Sequence, residues 1–227
     1  MRDIMTGILF CLAVPVWASS GEPSAEALEQ WFESDEQVLP YVDDVSEGEL
    51  RFLVKPPDKR TTSISNKIDI LNTSIESGWV DIEQCYGDLD PIDAVEVVYR
   101  YHNMRNLKIL STENIKKAWV EQQSVQLNEV EKGAKLCVSL QAQIFYKQDG
   151  KSFALRNGPF ERKFLDGYFP LHVKLRVFFP EKSLRFTDSK PAATPGFTVR
   201  RNASSIEIDT WFEGKLTTEL FFEVINH

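Results

Sequence analysis

Apolar and polar residues alternate with a period of two along most of the chain after residue 50. In a β-strand successive side chains point to opposite faces, so this period predicts strands with one buried and one solvated face. About a dozen such runs, separated by turn residues, are typical of an antiparallel β-sandwich, either immunoglobulin-like or jelly-roll-like. The sequence therefore predicts an all-β fold. The longest runs are 136–146, 172–179 and 216–224, and shorter candidates include 107–110, 118–120 and 125–127.

One short helix is predicted before the strands. Ser24 can cap its N-terminus, because a serine hydroxyl accepts a hydrogen bond from a free backbone N–H of the first turn. Leu28, Trp31 and Phe32 recur at helical spacing and make one apolar stripe. Pro40 ends any helix at this point. The expected architecture is therefore a short N-terminal helix followed by the sandwich.

The N-terminus has the features of a secretory signal. Residues 4–18 form an uncharged, largely apolar run that ends in Val16-Trp17-Ala18. A membrane-spanning helix needs about 20 apolar residues, whereas a signal peptide has a shorter run followed by small residues at the cleavage site. We expect a signal peptide over residues 1–18, cut after Ala18, a periplasmic or secreted protein, and no transmembrane segment in the mature chain. An uncleaved anchor is the alternative.

The body of the protein is expected to span residues 51–227. A break at 148–150, Gln-Asp-Gly, is an alternative boundary that would divide this body into two small sandwiches. The proline-rich stretch 191–196 predicts a loop before a terminal hairpin. In that hairpin, strands over 206–211 and 216–224 would be joined by a turn at 213–215.

Charged residues are distributed unevenly along the 227-residue chain. The formal net charge is −8, yet residues 21–50 hold ten acidic residues and no Lys or Arg, while residues 51–227 hold 25 basic and 23 acidic residues. Residues 19–50 are therefore expected to form an acidic arm. The arm is expected either to be a solvated leader or to dock on a basic surface, such as residues 151–201 with 11 basic and 4 acidic residues.

Removal of the signal peptide would leave two cysteines, Cys85 and Cys137. An exported protein with two cysteines is expected to join them in one structural disulfide. A redox-active pair is the alternative, although such pairs usually follow the Cys-x-x-Cys spacing. The sequence therefore predicts a Cys85–Cys137 disulfide that stabilises the fold.

Catalytic and metal-binding patterns are missing from the sequence. It has no G-x-S-x-G motif, phosphate-binding loop or dinucleotide fingerprint. The turn Asp88-Leu89-Asp90-Pro91-Ile92-Asp93 clusters carboxylates but lacks the glycine and distal glutamate of an EF-hand loop. The negative net charge argues against nucleic-acid binding. We expect no catalytic residues, metal or cofactor, and a protein that is not an enzyme.

The stretch 156–170 is the best candidate binding segment. It combines glycine and proline with aromatic and cationic side chains, and arginine beside aromatic surface is a common way to recognise carboxylates or sugars. The alternative is a structural connection whose aromatic residues fill one end of the sandwich. The predicted binding residues are Arg156, Arg162, Lys163, Tyr168 and Phe169, with Trp79, Trp119 and Trp211 as secondary candidates.

The run HVKLRVFFP at residues 172–180 resembles a strand of the periplasmic pilus chaperones. This resemblance covers nine residues and implies two immunoglobulin-like domains that bind subunits by donating a strand. From the sequence we expect an exported, non-enzymatic protein that binds or helps assemble an envelope component, its partner being an envelope protein or a glycan. A carbohydrate-binding or carbohydrate-cleaving domain and a chaperone-like protein are the alternatives.

Overall fold

The computed structural model describes residues 48–164 and 167–225, and its fold is nearly all β, with 69% of residues in strands and 2% in helix. The predicted signal peptide, the short helix and most of the acidic arm lie outside the described residues. The strands are β1 (Arg51–Leu53), β2 (Ser63–Asp69), β3 (Trp79–Leu89), β4 (Ile92–Val98), β5 (Met104–Glu121), β6 (Ser124–Gln143), β7 (Phe145–Lys147), β8 (Ser152–Phe160), β9 (Lys163–Phe164), β10 (Gly167–Tyr168), β11 (Leu171–Phe178), β12 (Leu184–Lys190), β13 (Phe197–Arg201), β14 (Ser205–Glu213) and β15 (Leu216–Val224).

Two larger sheets contain most of the strands. The first has nine strands in the order β1, β14, β11, β2, β3, β6, β4, with β13 also paired to β14 and β5 also paired to β6. The second has four strands in the order β12, β15, β8, β7, and β9 pairs with β10 in a separate small hairpin. β2 and β11 are parallel, whereas their neighbours in the nine-stranded sheet pair antiparallel. Because β2 precedes residues 148–150 and β11 follows them, this sheet is continuous across that position.

Alternating apolar residues of both sheets meet in one hydrophobic core. Val173, Leu175 and Val177 of β11 are fully buried, while the intervening Lys174 and Arg176 are exposed. Phe222 of β15 contacts Phe179, with ring centroids 5.3 Å apart. The described residues contain one four-residue helix, α1 (Ser74–Ser77), and no helix among them is long and apolar enough to span a membrane.

The longest hairpin of the structure was not apparent from the sequence. The three short strand candidates 107–110, 118–120 and 125–127 are parts of two long strands, β5 and β6, which pair along most of their length. Register shifts interrupt β5, and Asn106, Asn114 and Glu129 have positive φ angles near 55°. Each β-bulge adds an unpaired residue, so the period of two is lost there although the strand continues.

The predicted terminal hairpin is not formed, because β14 and β15 belong to different sheets. Gly214 joins them with φ +88°, a conformation that side chains other than glycine rarely adopt. A Cβ atom on Gly214 would overlap the carbonyl oxygen of Glu49. Both flanking strands keep their apolar alternation, so in sequence this crossing between sheets is indistinguishable from a hairpin turn.

We expect Gly214→Ala to lower the free energy of unfolding by at least about 2 kcal/mol, because it combines an unfavourable φ with a backbone clash. Urea unfolding of the purified protein measures this change. Gly150→Ala is the matched control, since Gly150 also has a positive φ (46°) but nothing lies within 4 Å of its added Cβ. Equal losses in the two variants would show that the close packing at Gly214 has no energetic weight.

Candidate functional site

Four of the five predicted binding residues lie together at the small β9–β10 hairpin. Tyr168 pairs with Lys163 across the hairpin, and the Phe169 N–H donates to the Arg162 carbonyl over 2.9 Å. The Lys163 ammonium lies 5.6 Å from the centre of the Tyr168 ring, and the Arg162 guanidinium lies 5.7 Å from the Phe169 ring. The hairpin therefore produces the cation–aromatic combination that the sequence suggested.

Most hydrogen-bonding groups of these four residues already have partners within the protein. Arg162 donates through Nη2 to both carboxylate oxygens of Asp90 at 2.8 Å, and through Nη1 to Thr61 at 3.1 Å. Tyr168 is buried, and the hydrogen bond that Lys215 makes to it raises the pKa of that lysine. Lys163 is exposed and Phe169 is half-buried. Arg162 thus ties the hairpin to the turn between β3 and β4, and Lys163 and Phe169 present the accessible surface.

Arg156 lies apart from this cluster, on the four-stranded sheet. It is exposed on β8, opposite Glu219 of β15, and the nearest charged atoms of the two side chains are 3.9 Å apart. Tyr146, on the neighbouring strand β7, is also exposed. The position of Arg156 on this sheet separates it from the other four candidates, and its predicted role in binding is untested.

Two carboxylates at the junction of β3 and β4 are bound by arginines. Arg60 reaches the Asp88 carboxylate at 2.6 Å, and Arg162 holds Asp90. Such pairs satisfy the negative charge of these carboxylates without a metal ion. Within the described ranges, no group of three or more His, Cys, Asp or Glu residues is arranged to hold a metal ion.

The secondary tryptophan candidates all lie on the nine-stranded sheet. The Arg105 guanidinium covers Trp79, with 4.1 Å to the ring centre. Trp211 stacks on His172 with ring centroids 3.9 Å apart and an interplanar angle of 9°. Trp119 on β5 is 39% exposed. The three rings therefore have different surroundings, and Trp119 is the most accessible of the three.

Trp119 belongs to a region that sequence reasoning did not single out. We call residues 92–98 and 104–130 the blade; it comprises β4, β5 and the end of β6 that pairs with both. Of the nine large hydrophobic side chains exposed in the described part of the chain, five lie on β4 and β5. They do not form one continuous patch, because successive residues such as Trp119 and Val120 point to opposite faces of a strand. Their concentration on two strands still marks this region as a candidate interaction surface. These five are Ile92, Val98, Leu110, Trp119 and Val120.

The two outer strands of the blade differ in regularity. Each pairs on one side with β6, and no strand among the described residues pairs with the other side. β5 contains three register shifts along its ladder, whereas β4 pairs with β6 without a shift. Bulges protect a sheet edge from further pairing, and a regular edge is open to it. β4 is therefore the blade edge better suited to receive another strand.

The chain is similar to known proteins only at the level of solved structures. No family model matches the chain, and neither does any curated protein. The chain is similar to a two-domain M1 zinc metallopeptidase mutant bound to L-tryptophan, with 10% identity and a TM-score of 0.38. It is also similar to an M1 zinc metallopeptidase mutant from Deinococcus radiodurans bound to a Tyr-Ser-Ala substrate, with 10% identity and a TM-score of 0.37. Both alignments cover 79% of this chain and 43% of the other, so the chain spans less than half the length of these structures.

Proposed function

We propose that the protein is an exported, non-enzymatic β-sandwich that binds another envelope component by accepting an extended segment of it at β4. The observation that carries this proposal is the regular, open edge of β4 within the blade, where exposed apolar side chains concentrate. An extended segment added to such an edge gains main-chain hydrogen bonds, and side chains of the edge give specificity. The chaperone-like alternative runs in the opposite direction, because such a chaperone donates its own strand to the subunit that it binds.

The chemistry of the edge defines the segment that fits it. Ile92 and Val98, at the two ends of β4, are 45% and 54% exposed. Between them, Asp93 and Glu96 are exposed carboxylates, and Glu96 accepts a hydrogen bond from Gln126. The expected partner is therefore an extended segment with apolar side chains at its ends and basic or neutral residues between them.

Two new charges on β4 should disrupt this binding. We expect Ile92→Lys with Val98→Lys to reduce partner capture at least tenfold, because lysine at a sheet edge opposes strand addition. The folded protein should be little affected, since both side chains are exposed. Mild crosslinking in intact cells, affinity capture of the tagged protein and quantitative mass spectrometry identify the partner and measure how much of it is captured. A binding isotherm with that purified partner then measures the affinity.

Val54→Lys is the matched control, because Val54 is 73% exposed and lies outside the blade, just after β1. It should capture the partner as well as the wild type does. Thermal unfolding of each variant checks that the fold is kept. Absence of a stoichiometric partner, or equal capture by the β4 double variant and the wild type, would overturn the proposal.

A further inference from the structure

The outer face of the nine-stranded sheet has a charged groove that is separate from the blade. It crosses β2, β11, β14 and β13 and has a volume of about 330 Å³. Its lining contains more positive than negative side chains. The charged residues that line it are Lys67, Lys174, Arg176, Arg200, Glu207 and Asp209.

The groove leaves two cations free for a ligand. Arg176 pairs with Glu207 at 2.9 Å, and the Asp209 carboxylate accepts a hydrogen bond from His172 Nε2 at 2.7 Å. Lys67 pairs with Asp69. Lys174 and Arg200 are both exposed. They lie opposite Asp209 and Glu207 of β14, respectively, but within the described residues neither cation forms an ion pair. Unpaired cations in a concave surface attract anionic ligands and raise their local concentration.

The spacing of these two cations favours an extended ligand. Lys174 is on β11 and Arg200 is on β13, and β14 lies between the two strands. Two strand spacings amount to about 10 Å, and side chains stand roughly perpendicular to a sheet. A ligand with several anionic groups along a chain therefore fits better than one small ion.

Neutral groups beside the cations suit a sugar. Ser65 lies opposite Lys174, and Thr198 lies opposite Asp209, so two exposed hydroxyls border the groove. His172 and Trp211 each lie two residues from a groove residue on the same strand, which places their stacked rings on the same sheet face. Aromatic rings accept the C–H faces of sugar rings, and hydroxyls exchange hydrogen bonds with sugar hydroxyls.

We propose that this groove binds an anionic polysaccharide whose sugars carry carboxylate or sulfate groups. Lys174 and Arg200 contact the anionic groups, Ser65 and Thr198 contact hydroxyls, and the His172–Trp211 stack supports a sugar ring at one end. Because charge contributes to the binding, salt weakens it. This function is additional to strand addition at β4 and does not depend on it.

Isothermal titration calorimetry of the purified protein tests the groove, with polygalacturonate and dextran sulfate as acidic probes and dextran as the neutral probe. We expect an acidic probe to bind at least tenfold more tightly than dextran. Lys174→Gln with Arg200→Gln should weaken that binding at least tenfold. The two acidic probes distinguish carboxylate from sulfate recognition, and either one supports the proposal.

Lys147→Gln with Lys151→Gln is the matched control, because it removes the same charge from two exposed lysines beside the four-stranded sheet. It should leave the affinity unchanged. Equal weakening by the two double variants would indicate charge attraction without a site and would overturn the proposal. Tripolyphosphate or a single-stranded oligonucleotide binding as tightly as the polysaccharides, or no binding of either acidic polysaccharide, would overturn it as well.

Discussion

Replacing both Cys85 and Cys137 by serine is expected to lower the free energy of unfolding by about 4 kcal/mol, because the unfolded chain would lose a constraint between residues 52 positions apart. The disulfide is formed in the structure, where the two cysteines are direct neighbours on the paired strands β3 and β6. A loss of this size corresponds to roughly a thousandfold change in the ratio of folded to unfolded molecules.

Urea unfolding of the oxidised wild type and of the double serine variant measures this loss. Ser111→Ala is the control, because Ser111 of β5 lies opposite Cys137. This variant tests whether any substitution at this point of the sheet lowers the free energy of unfolding. It should change the free energy of unfolding by less than about 0.5 kcal/mol, as most exposed substitutions do. A double serine variant as stable as the control would show that the disulfide does not stabilise the fold.

Raising the pH above about 10 is expected to destabilise the protein steeply, because three tyrosines at one end of the core keep their protons in the folded state. Burial raises the pKa of Tyr86, Tyr99 and Tyr101, and in Tyr86 and Tyr101 a neighbouring tyrosine adds to the shift. Tyr101 also donates to the Asn157 amide oxygen over 3.2 Å, a hydrogen bond that needs the protonated form.

The sign follows from proton linkage. Unfolded tyrosines lose their protons near pH 10, whereas these folded ones retain them, so the folded state binds more protons and loses stability as pH rises. Each group contributes about 1.4 kcal/mol per pH unit, so three contribute about 4 kcal/mol per unit above pH 10. Below pH 10 these groups contribute their full stabilisation and no pH dependence.

Denaturant unfolding at a series of pH values, with tyrosinate absorbance as a second signal, measures the slope. Tyr99→Phe keeps the ring and removes one ionising group, so its slope should be smaller than that of the wild type by about 1.4 kcal/mol per unit. The same variant should show the wild-type pH dependence at neutral pH. Tyrosinate absorbance that reaches its full value before unfolding would contradict the raised pKa values.

The fold class was predictable because the alternation of apolar and polar residues is local. Val173, Leu175 and Val177 identify both the strand β11 and its buried face. Strand ends and connections were less predictable where backbone geometry breaks the period. The bulges near Asn114 and Glu129 made one long hairpin look like several short strands.

The candidate sites show the same limit of local information. Lys163 and Tyr168 were both predicted to bind, and they lie together because they are only five positions apart in sequence and pair between β9 and β10. The partner of Arg162, Asp90, is 72 residues away in sequence and was not foreseeable. The charged groove is lined by residues of four strands that are far apart in sequence. Only Lys174 and Arg176, which lie on the same strand, could be predicted from the sequence to be exposed on one face.

The parallel pairing of β2 with β11 has a consequence for synthesis of the chain. β2 ends at residue 69, and its partner begins at residue 171, so the pair is absent until more than 100 residues of intervening chain have been made. The pairing of β1 with β14 joins residues that are even farther apart in sequence. Long-range pairing of this kind slows folding. A nascent chain that ends before β11 therefore keeps the edge of β2 unpaired, and the nine-stranded sheet closes only when the polypeptide is nearly complete.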